Sequence, residues 1–271
     1  MEIGILILIF ILGLCFGSFA NVCIYRIPRN LNITNPPSYC VSCKSPVKWR
    51  DNLPIIGYLL LLGRCRGCGK AISPIYPIVE ISCALLFCLL YVFYGLSVPF
   101  FLFCILAFAL IVISGIDLEF QIIPDTFSLG LIAAGLVFSV FNYTLGVNVG
   151  ERLLGSAFGI IAGGGFLLGM GVVGKIIFKK DAMGGGDIKL MAGVGACIGF
   201  ERVLAAMFIA SLLASVVGIF LIIGKKVEHK GYIPFGPYLA AGSLATLFLP
   251  SPWIMLNFFV DKVEAAFLFI V

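Results

Sequence analysis

Charge is scarce in this chain. Asp, Glu, Lys and Arg make up only 11% of its 271 residues, where a soluble domain would carry about a quarter. Histidine occurs once, as His229 in the hydrophilic stretch KKVEHKG, where a solvated loop position is expected. There is no G-x-S-x-G nucleophile elbow and no H-E-x-x-H zinc helix, which removes serine-triad hydrolases of the elbow type and zincin metalloproteases. No G-x-G-x-x-G follows a strand-like run, so no dinucleotide fold is indicated. What the chain has instead is apolar length: 61% hydrophobic residues and a mean hydropathy of +1.16. It reads as an all-α polytopic membrane protein whose bulk is one helical bundle.

Runs long enough to span a bilayer, ~17–25 residues, fall near 3–19, 76–95, 98–116, 126–143, 152–174, 186–200, 202–223 and 235–249. That predicts about eight transmembrane helices. The sixth is short and Gly-rich. A further stretch, 253–271, contains Asp261, Lys262 and Glu264; a ninth span, an interfacial helix and a frayed tail all stay open. Basic residues follow the first run rather than precede it, and no small-residue cleavage site closes it, so 3–19 is expected to be a retained span rather than a signal peptide.

Lys and Arg set the expected orientation. Segment 20–75 holds eight of the 18: Arg26, Arg29, Lys44, Lys48, Arg50, Arg64, Arg66 and Lys70. Lys175, Lys179, Lys180 and Lys189 flank the fifth-to-sixth connection, and Lys225, Lys226 and Lys230 follow the seventh span. With eight spans and an outside N-terminus all of these face the cytoplasm; only Arg152, Arg202 and Lys262 fall elsewhere. The net charge of +5 is thus a topology signal, and no nucleic-acid partner is expected.

Segment 20–75 is the one sizeable polar stretch. It carries Cys40-x-x-Cys43 and Cys65-x-x-Cys68. Each pair offers two thiolates from one tight turn, and two such knuckles complete a tetrahedral site suited to Zn²⁺ with Zn–S near about 2.3 Å. Gly67 and Gly69 fit a tight second knuckle. Two redox dithiols or disulfides are the alternative, which a reducing cytoplasm disfavours. Four protein ligands leave no open position, so the metal is expected to be structural and to supply folding energy to a short segment. The other six cysteines, at 15, 23, 83, 88, 104 and 197, lack such spacing and read as small apolar packing residues.

Two carboxylates stand at the edges of apolar runs: Asp117 in ISGIDLEFQIIPD and Asp187 in AMGGGDIKLMAG. A charge at a helix centre in a bilayer costs roughly 3 kcal/mol, so it usually has a job. The predicted topology puts both on the cytoplasmic face. Two carboxylates sharing a proton can activate water against a peptide bond. Gly184, Gly185 and Gly186 before Asp187 are expected to reach unusual backbone angles and to let a peptide strand come close; the plainer alternative is a flexible loop whose Asp caps the sixth helix. Asp125 could simply favour the helix dipole, and Glu119 could be solvated.

These residues carry a resemblance. GSFANVCIYRIP at 17–28, the doubled Cys-x-x-Cys, LLGRCRGCGKAISPIYPIVE at 61–80, IDLEFQIIPD at 116–125, GGGDIKL at 184–190 and GYIPFGPYLAAG at 231–242 resemble, in order, the signature blocks of type IV prepilin peptidases. The resemblance implies an enzyme of the bacterial cytoplasmic (inner) membrane with its active site facing the cytoplasm. It would cleave the basic leader of prepilins or pseudopilins after a Gly, then N-methylate the new N-terminal residue, typically Phe, with S-adenosyl-L-methionine. Asp117 and Asp187 match the paired catalytic aspartates, with Gly184, Gly185, Gly186, Asp125 and Lys189 supporting them. It also implies a first helix over 1–19, a cytoplasmic zinc segment over 20–75 linked to methyl transfer and a peptidase bundle over 76–271. Asn21, Arg26 and Glu80 are candidates for methyl-donor or leader binding; an interfacial helix cap, a lipid-phosphate anchor and an ion pair are their plainer roles.

GIIAGGGFLLGMG at 159–171 is Gly-rich inside an apolar span, where small residues permit close helix packing. A peptidase without methyl transfer, similar to preflagellin peptidases, is the alternative; the cysteine segment argues against it. Presenilin-like proteases share only the glycine turn. A transporter would place its carboxylates near mid-membrane within inverted repeats, and neither is seen.

Overall fold

The computed structural model describes residues 2–179, 183–224 and 234–249. His229, Lys180, Lys225, Lys226, Lys230, the start of the 231–242 block and the 253–271 stretch lie outside them. The chain divides after Pro124 into two compact units, Met1–Pro124 and Asp125–Val271. The described residues are helical, with two isolated β-bridges and no strand.

In the first unit, α1 (Glu2–Arg26) packs on α3 (Ile75–Tyr94), with α4 (Val98–Phe120) against both. The closeness has a local cause. Gly13 and Gly17, one turn apart on α1, face Ala84 and Glu80, one turn apart on α3. A Cβ on Gly13 or Gly17 would stand 2.5 Å from the Cα of Ala84 or Glu80, nearer than atoms can approach. Phe16 and Phe19 add aromatic contacts with Phe108 of α4, both at 5.9 Å between ring centres. Ser97 caps α4 by accepting from the Phe100 amide, and the helix stops where Gln121 turns left-handed at φ 56°. Between α1 and α3 lie two cysteine knuckles, a short 3₁₀ turn (Trp49–Asn52) and α2 (Ile56–Leu60).

The second unit is built around α8 (Gly185–Ile198), buried from Leu190 to its end. Its neighbours are α5 (Asp125–Ser139) on one side and α6 (Val149–Ile160) with the π turn Ile161–Gly165 on the other; α7 (Phe166–Phe178) continues that helix. Glycine makes the packing possible. Gly159 faces the Gly195 carbonyl, Gly163 the Met191 carbonyl, Gly193 the Ser128 carbonyl and Gly135 the Ala196 backbone, each too close for a Cβ. Carbonyls in the last turn of α8 find buried donors: Asn142 Nδ2 to Cys197 at 3.0 Å and Ser156 Oγ to Ala196 at 2.9 Å. Such pairing removes the desolvation cost of an unsatisfied helix end. Then α9 (Phe200–Ile223) packs with α10 (Gly236–Phe248), Gly242 resting on the Ala206 carbonyl.

Among the described residues, five helices are long and apolar enough to cross a membrane: Glu2–Arg29, Ile75–Tyr94, Val98–Phe120, Val149–Ile177 and Phe200–Leu221. The other three expected spans are the shorter α5, α8 and α10, of 15, 14 and 13 residues. At 1.5 Å per residue each covers ~20 Å of a ~30 Å core. Helix α1 continues to Arg26, past the expected end at 19, so Asn21 and Arg26 stand on the helix itself.

Candidate active site and metal centre

Asp117 lies in the last turn of α4 and is 5% exposed. Two residues on, Glu119 pairs with Arg29 at 2.7 Å. Arg29 also donates to the Tyr25 carbonyl and lies over the rings of Tyr25 and Phe120 at 4.3 and 4.7 Å. The expected solvation of Glu119 is therefore only half of its environment: the residue is exposed, yet it ties the end of α4 to the end of α1. In the sequence alone Arg29 stands out only as a topology charge.

Asp187 stands in the first turn of α8 and is 6% exposed. Two residues on, Lys189 donates to both carboxylate oxygens of Asp125, at 2.9 and 2.8 Å. Asp125 opens α5, so this pair fastens the starts of two closely packed helices. Each aspartate is thus followed, two residues later, by a charge whose partner sits on a different element. Asp117 belongs to the first unit and Asp187 to the second.

The three glycines do not have the unusual angles expected of them. Gly184 has φ −69° and ψ 135°, open to any residue, and Gly185 and Gly186 are helical. What they leave is room: nothing lies within 4 Å of a Cβ built on Gly185, and one on Gly184 would sit 3.0 Å from an Asp187 carboxylate oxygen. Gly184, rather than Asp187, is the N-cap, and no side chain caps this helix. Asp187 stands three residues after that N-cap, as the acidic residue of the first turn.

Cys40, Cys43, Cys65 and Cys68 form one cluster, their sulfurs all within 4.8 Å of one another. The two knuckles are copies. The Cys40 amide donates to Ser45 and the Lys44 amide to Cys40; likewise Cys65 to Lys70 and Gly69 to Cys65, at 2.8–2.9 Å. Lys44 and Gly69 take the same left-handed place at φ 58° and 69°. The nearest sulfurs, Cys40–Cys68 and Cys43–Cys65, lie across the knuckles at 4.0 Å, against an edge of about 3.8 Å for a tetrahedron of 2.3 Å bonds. One shared four-thiol site able to hold a metal ion fits this better than two separate dithiols. The Ser45 hydroxyl and backbone hold the Cys43 thiol down at about 6, and backbone hydrogen bonds at Cys68 and Gly67 lower Cys65, whereas desolvation and the neighbouring thiols push Cys68 up to about 11; thiolate is the ligating form.

Arg66, inside the second knuckle, grips Asp51 through two hydrogen bonds of 2.8 and 2.6 Å. That grip keeps the Asp51 carboxyl below its ordinary range. Its stabilising effect is present above the ordinary carboxylate pKa and is lost as pH falls through the lowered one.

The three methyl-donor candidates are all buried, and none has the plainer role weighed for it. Asn21 donates to the Tyr76 carbonyl at 3.0 Å. Arg26 donates to the carbonyls of Asn32, Ile33, Pro36 and Pro37, so it serves the chain rather than a lipid phosphate. Glu80 accepts from the Ile55 amide at 2.7 Å and not from a cation in an ion pair. Arg26 and Glu80 brace the inter-helix segment on α1 and α3, and Asn21 ties α1 to the first turn of α3. Sequence spacing does not reveal this, because most of the partners are backbone atoms; Glu80 also takes a hydrogen bond from the Ser18 side chain and Arg26 lies over the Tyr39 ring at 5.6 Å.

Apolar helices with buried aspartates in their terminal turns, together with a four-thiol cluster, make up a polytopic membrane enzyme rather than a soluble hydrolase. Residues 11–94 match the Bacterial Peptidase A24 N-terminal domain and residues 104–219 the Type IV leader peptidase family. The chain is 36% identical over 209 residues to the prepilin leader peptidase/N-methyltransferase of Klebsiella pneumoniae, covering 75% of this chain and 89% of the relative. It is 32% identical over 278 residues to the protein of the same name from Aeromonas hydrophila, covering 93% and 94%, and 32% over 260 residues to that of Pseudomonas putida, covering 88% of each. The chain belongs to the type IV leader peptidase family. No solved structure matches it.

Proposed function

We propose that this chain is a bifunctional membrane enzyme, cleaving the basic leader from prepilins or pseudopilins and then N-methylating the new N-terminus with S-adenosylmethionine. The observation that carries this is the pair of family matches along one chain, to relatives named for both activities. The peptidase-only alternative is not favoured: the N-terminal match includes all four clustered cysteines.

Asp117 and Asp187 are the proposed catalytic pair. Two carboxylates that share one proton divide the work. The ionised one takes a proton from water as the water oxygen bonds to the scissile carbonyl carbon; the protonated one gives its proton to the carbonyl oxygen. When the diol intermediate collapses, one of its hydroxyls returns a proton to the second aspartate, the C–N bond breaks and the leaving amine takes a proton from the acid just formed, which restores the pair. Glu119 pairs with Arg29 and Lys189 with Asp125, Glu119 and Lys189 each standing two residues along the chain from a proposed catalytic aspartate. The open space at Gly185 is where the substrate strand would lie, with Gly184 and Gly186 keeping its flanks small.

Cys40, Cys43, Cys65 and Cys68 would hold a structural Zn²⁺, which supplies folding energy to the segment and leaves no open ligand position. Asn21, Arg26 and Glu80 are occupied by main chain and are assigned no contact with the methyl donor; their role in methyl transfer is to shape the N-terminal unit. Helices α5, α8 and α10 are the three short spans that complete eight. The Lys and Arg bias supports an inner-membrane topology with both aspartates facing the cytoplasm.

The test is incubation of the protein in lipid nanodiscs with a prepilin and labelled S-adenosylmethionine, followed by product mass. Loss of the leader plus one methyl group is expected. Loss of the leader alone would remove the transferase half, and an unchanged prepilin would overturn the reading.

A further inference from the structure

The inter-helix segment carries an apolar surface that neither proposed activity uses. Trp49, Leu60 and Leu62 are 73%, 69% and 87% exposed, and Ile56 and Leu59 are exposed with them. Inside one compact segment this is an uncommon concentration of bare apolar side chains. It is not an unfinished core. The inward position of α2 is Gly57, seated on the Asp51 carbonyl too closely for any Cβ. The turn into α2 is fixed as well: Ile55, a β-branched residue, sits at φ 61°, a region that costs such residues strain. Its amide is held by the Glu80 carboxylate. These contacts hold the apolar face of α2 outward.

Two observations say what covers it. The first is depth. Glu80 is the sixth residue of α3, so the tether reaches α3 about 7.5 Å in from its first residue at 1.5 Å per residue. An element lying in a membrane interface buries its apolar face by about 5–10 Å. The second is charge. Lys48, Arg50 and Arg64 are exposed around the patch, and the one acidic residue between 20 and 75, Asp51, is already paired with Arg66. A Trp with basic neighbours beside an apolar face is the composition of the headgroup boundary, and Arg50 lies over the Trp49 ring at 5.9 Å.

We propose that Trp49 and α2 form an interfacial foot, with Trp49, Ile56, Leu59, Leu60 and Leu62 in the headgroup–acyl boundary of the leaflet where α1 ends and α3 begins. Lys48, Arg50 and Arg64 hold its anionic phospholipids. The foot sets the height of the cysteine cluster above the bilayer. This rests on α1 and α3 crossing the membrane.

The experiment uses the full chain with Trp253→Phe, which leaves Trp49 as its one tryptophan. It is reconstituted in phosphatidylglycerol-containing liposomes with and without brominated acyl chains. The expected result is blue-shifted Trp49 emission, strong quenching by bromolipid and weak quenching by aqueous acrylamide. Leu59→Asp with Leu60→Asp should shift the emission red and abolish bromolipid quenching while the bound metal stays unchanged. Purely zwitterionic lipid should weaken the quenching; equal quenching there would overturn the role given to the basic rim. Emission typical of water, with full acrylamide access, would overturn the foot. So would bromolipid protection or a blue shift that arises only on adding prepilin, which would make the patch a substrate surface. Alkaline carbonate extraction separates the two readings: a chain released from the liposomes refutes the spans, whereas a chain retained with water-exposed Trp49 refutes the foot alone.

Discussion

Between α1 and α3 the chain is fixed by polar points: Arg26 on four carbonyls, Glu80 on the Ile55 amide, Arg66 on Asp51, and four thiols within 4.8 Å of one another. Around α8 the fixing is done mostly by absence of side chain, with Gly135, Gly159, Gly163, Gly193 and Gly195 bringing backbones into contact. The difference follows from solvent. A short polar segment cannot bury enough apolar surface within itself to order itself and needs strong discrete links. A helix among helices in lipid gains little from burying apolar groups, so close packing through small residues takes over.

The two regions should therefore fail in different ways. The largest effect is expected from the metal. Structural zinc is worth about 10–16 kcal/mol in small domains, so chelation, or Cys65→Ser, should open the segment between α1 and α3 to limited proteolysis while the Asp125–Ser139 and Gly185–Ile198 helices keep their protection. Metal analysis should find about one zinc per chain. Parallel loss of both regions would erase the distinction.

Next is Arg26→Ala. Hydrogen bonds to a charged group carry about 1.5–3 kcal/mol when broken, and four carbonyls lose their donor at once. Faster cleavage by trypsin-like proteases within the knuckle region is expected, with thermal unfolding of the helices little changed. Gly195→Leu should act in the opposite sense. Overpacking costs about 1–3 kcal/mol, and the atom it meets is the Gly159 backbone, which cannot rotate away. A lower Tm and lost cleavage with normal zinc content are expected. The smallest effect belongs to Lys189→Ala, since an exposed ion pair contributes about 0.2–1 kcal/mol. A double-mutant cycle with Asp125→Ala in a thermal assay should return a coupling of that size, shrinking with salt.

How much of this was legible in the sequence depended on whether the information is local. The cysteine spacing carried the cluster, because a knuckle is made within six residues. Apolar run length carries the positions of the helices, and the small residues of the Gly159–Gly171 stretch signal packing, Gly159 and Gly163 being the contacts. The roles of Arg26 and Glu80 are hidden in the sequence, because most of their partners are amides and carbonyls that every residue possesses. The Gly184–Gly186 run suggests unusual angles but supplies space, since glycine serves both ends and sequence does not separate them. Arg29–Glu119 left a faint signal: an acidic residue two positions past Asp117 and a surplus arginine at the end of the first span.

The most direct test of the catalytic assignment is the cleavage rate of Asp187→Asn and Asp117→Asn on a prepilin in lipid, with methylation of a pre-cleaved pilin as the control for folding. Each variant should lose cleavage by about 10²–10⁴-fold or more and still transfer the methyl group. Cleavage near the normal rate by either variant would contradict the two-aspartate account.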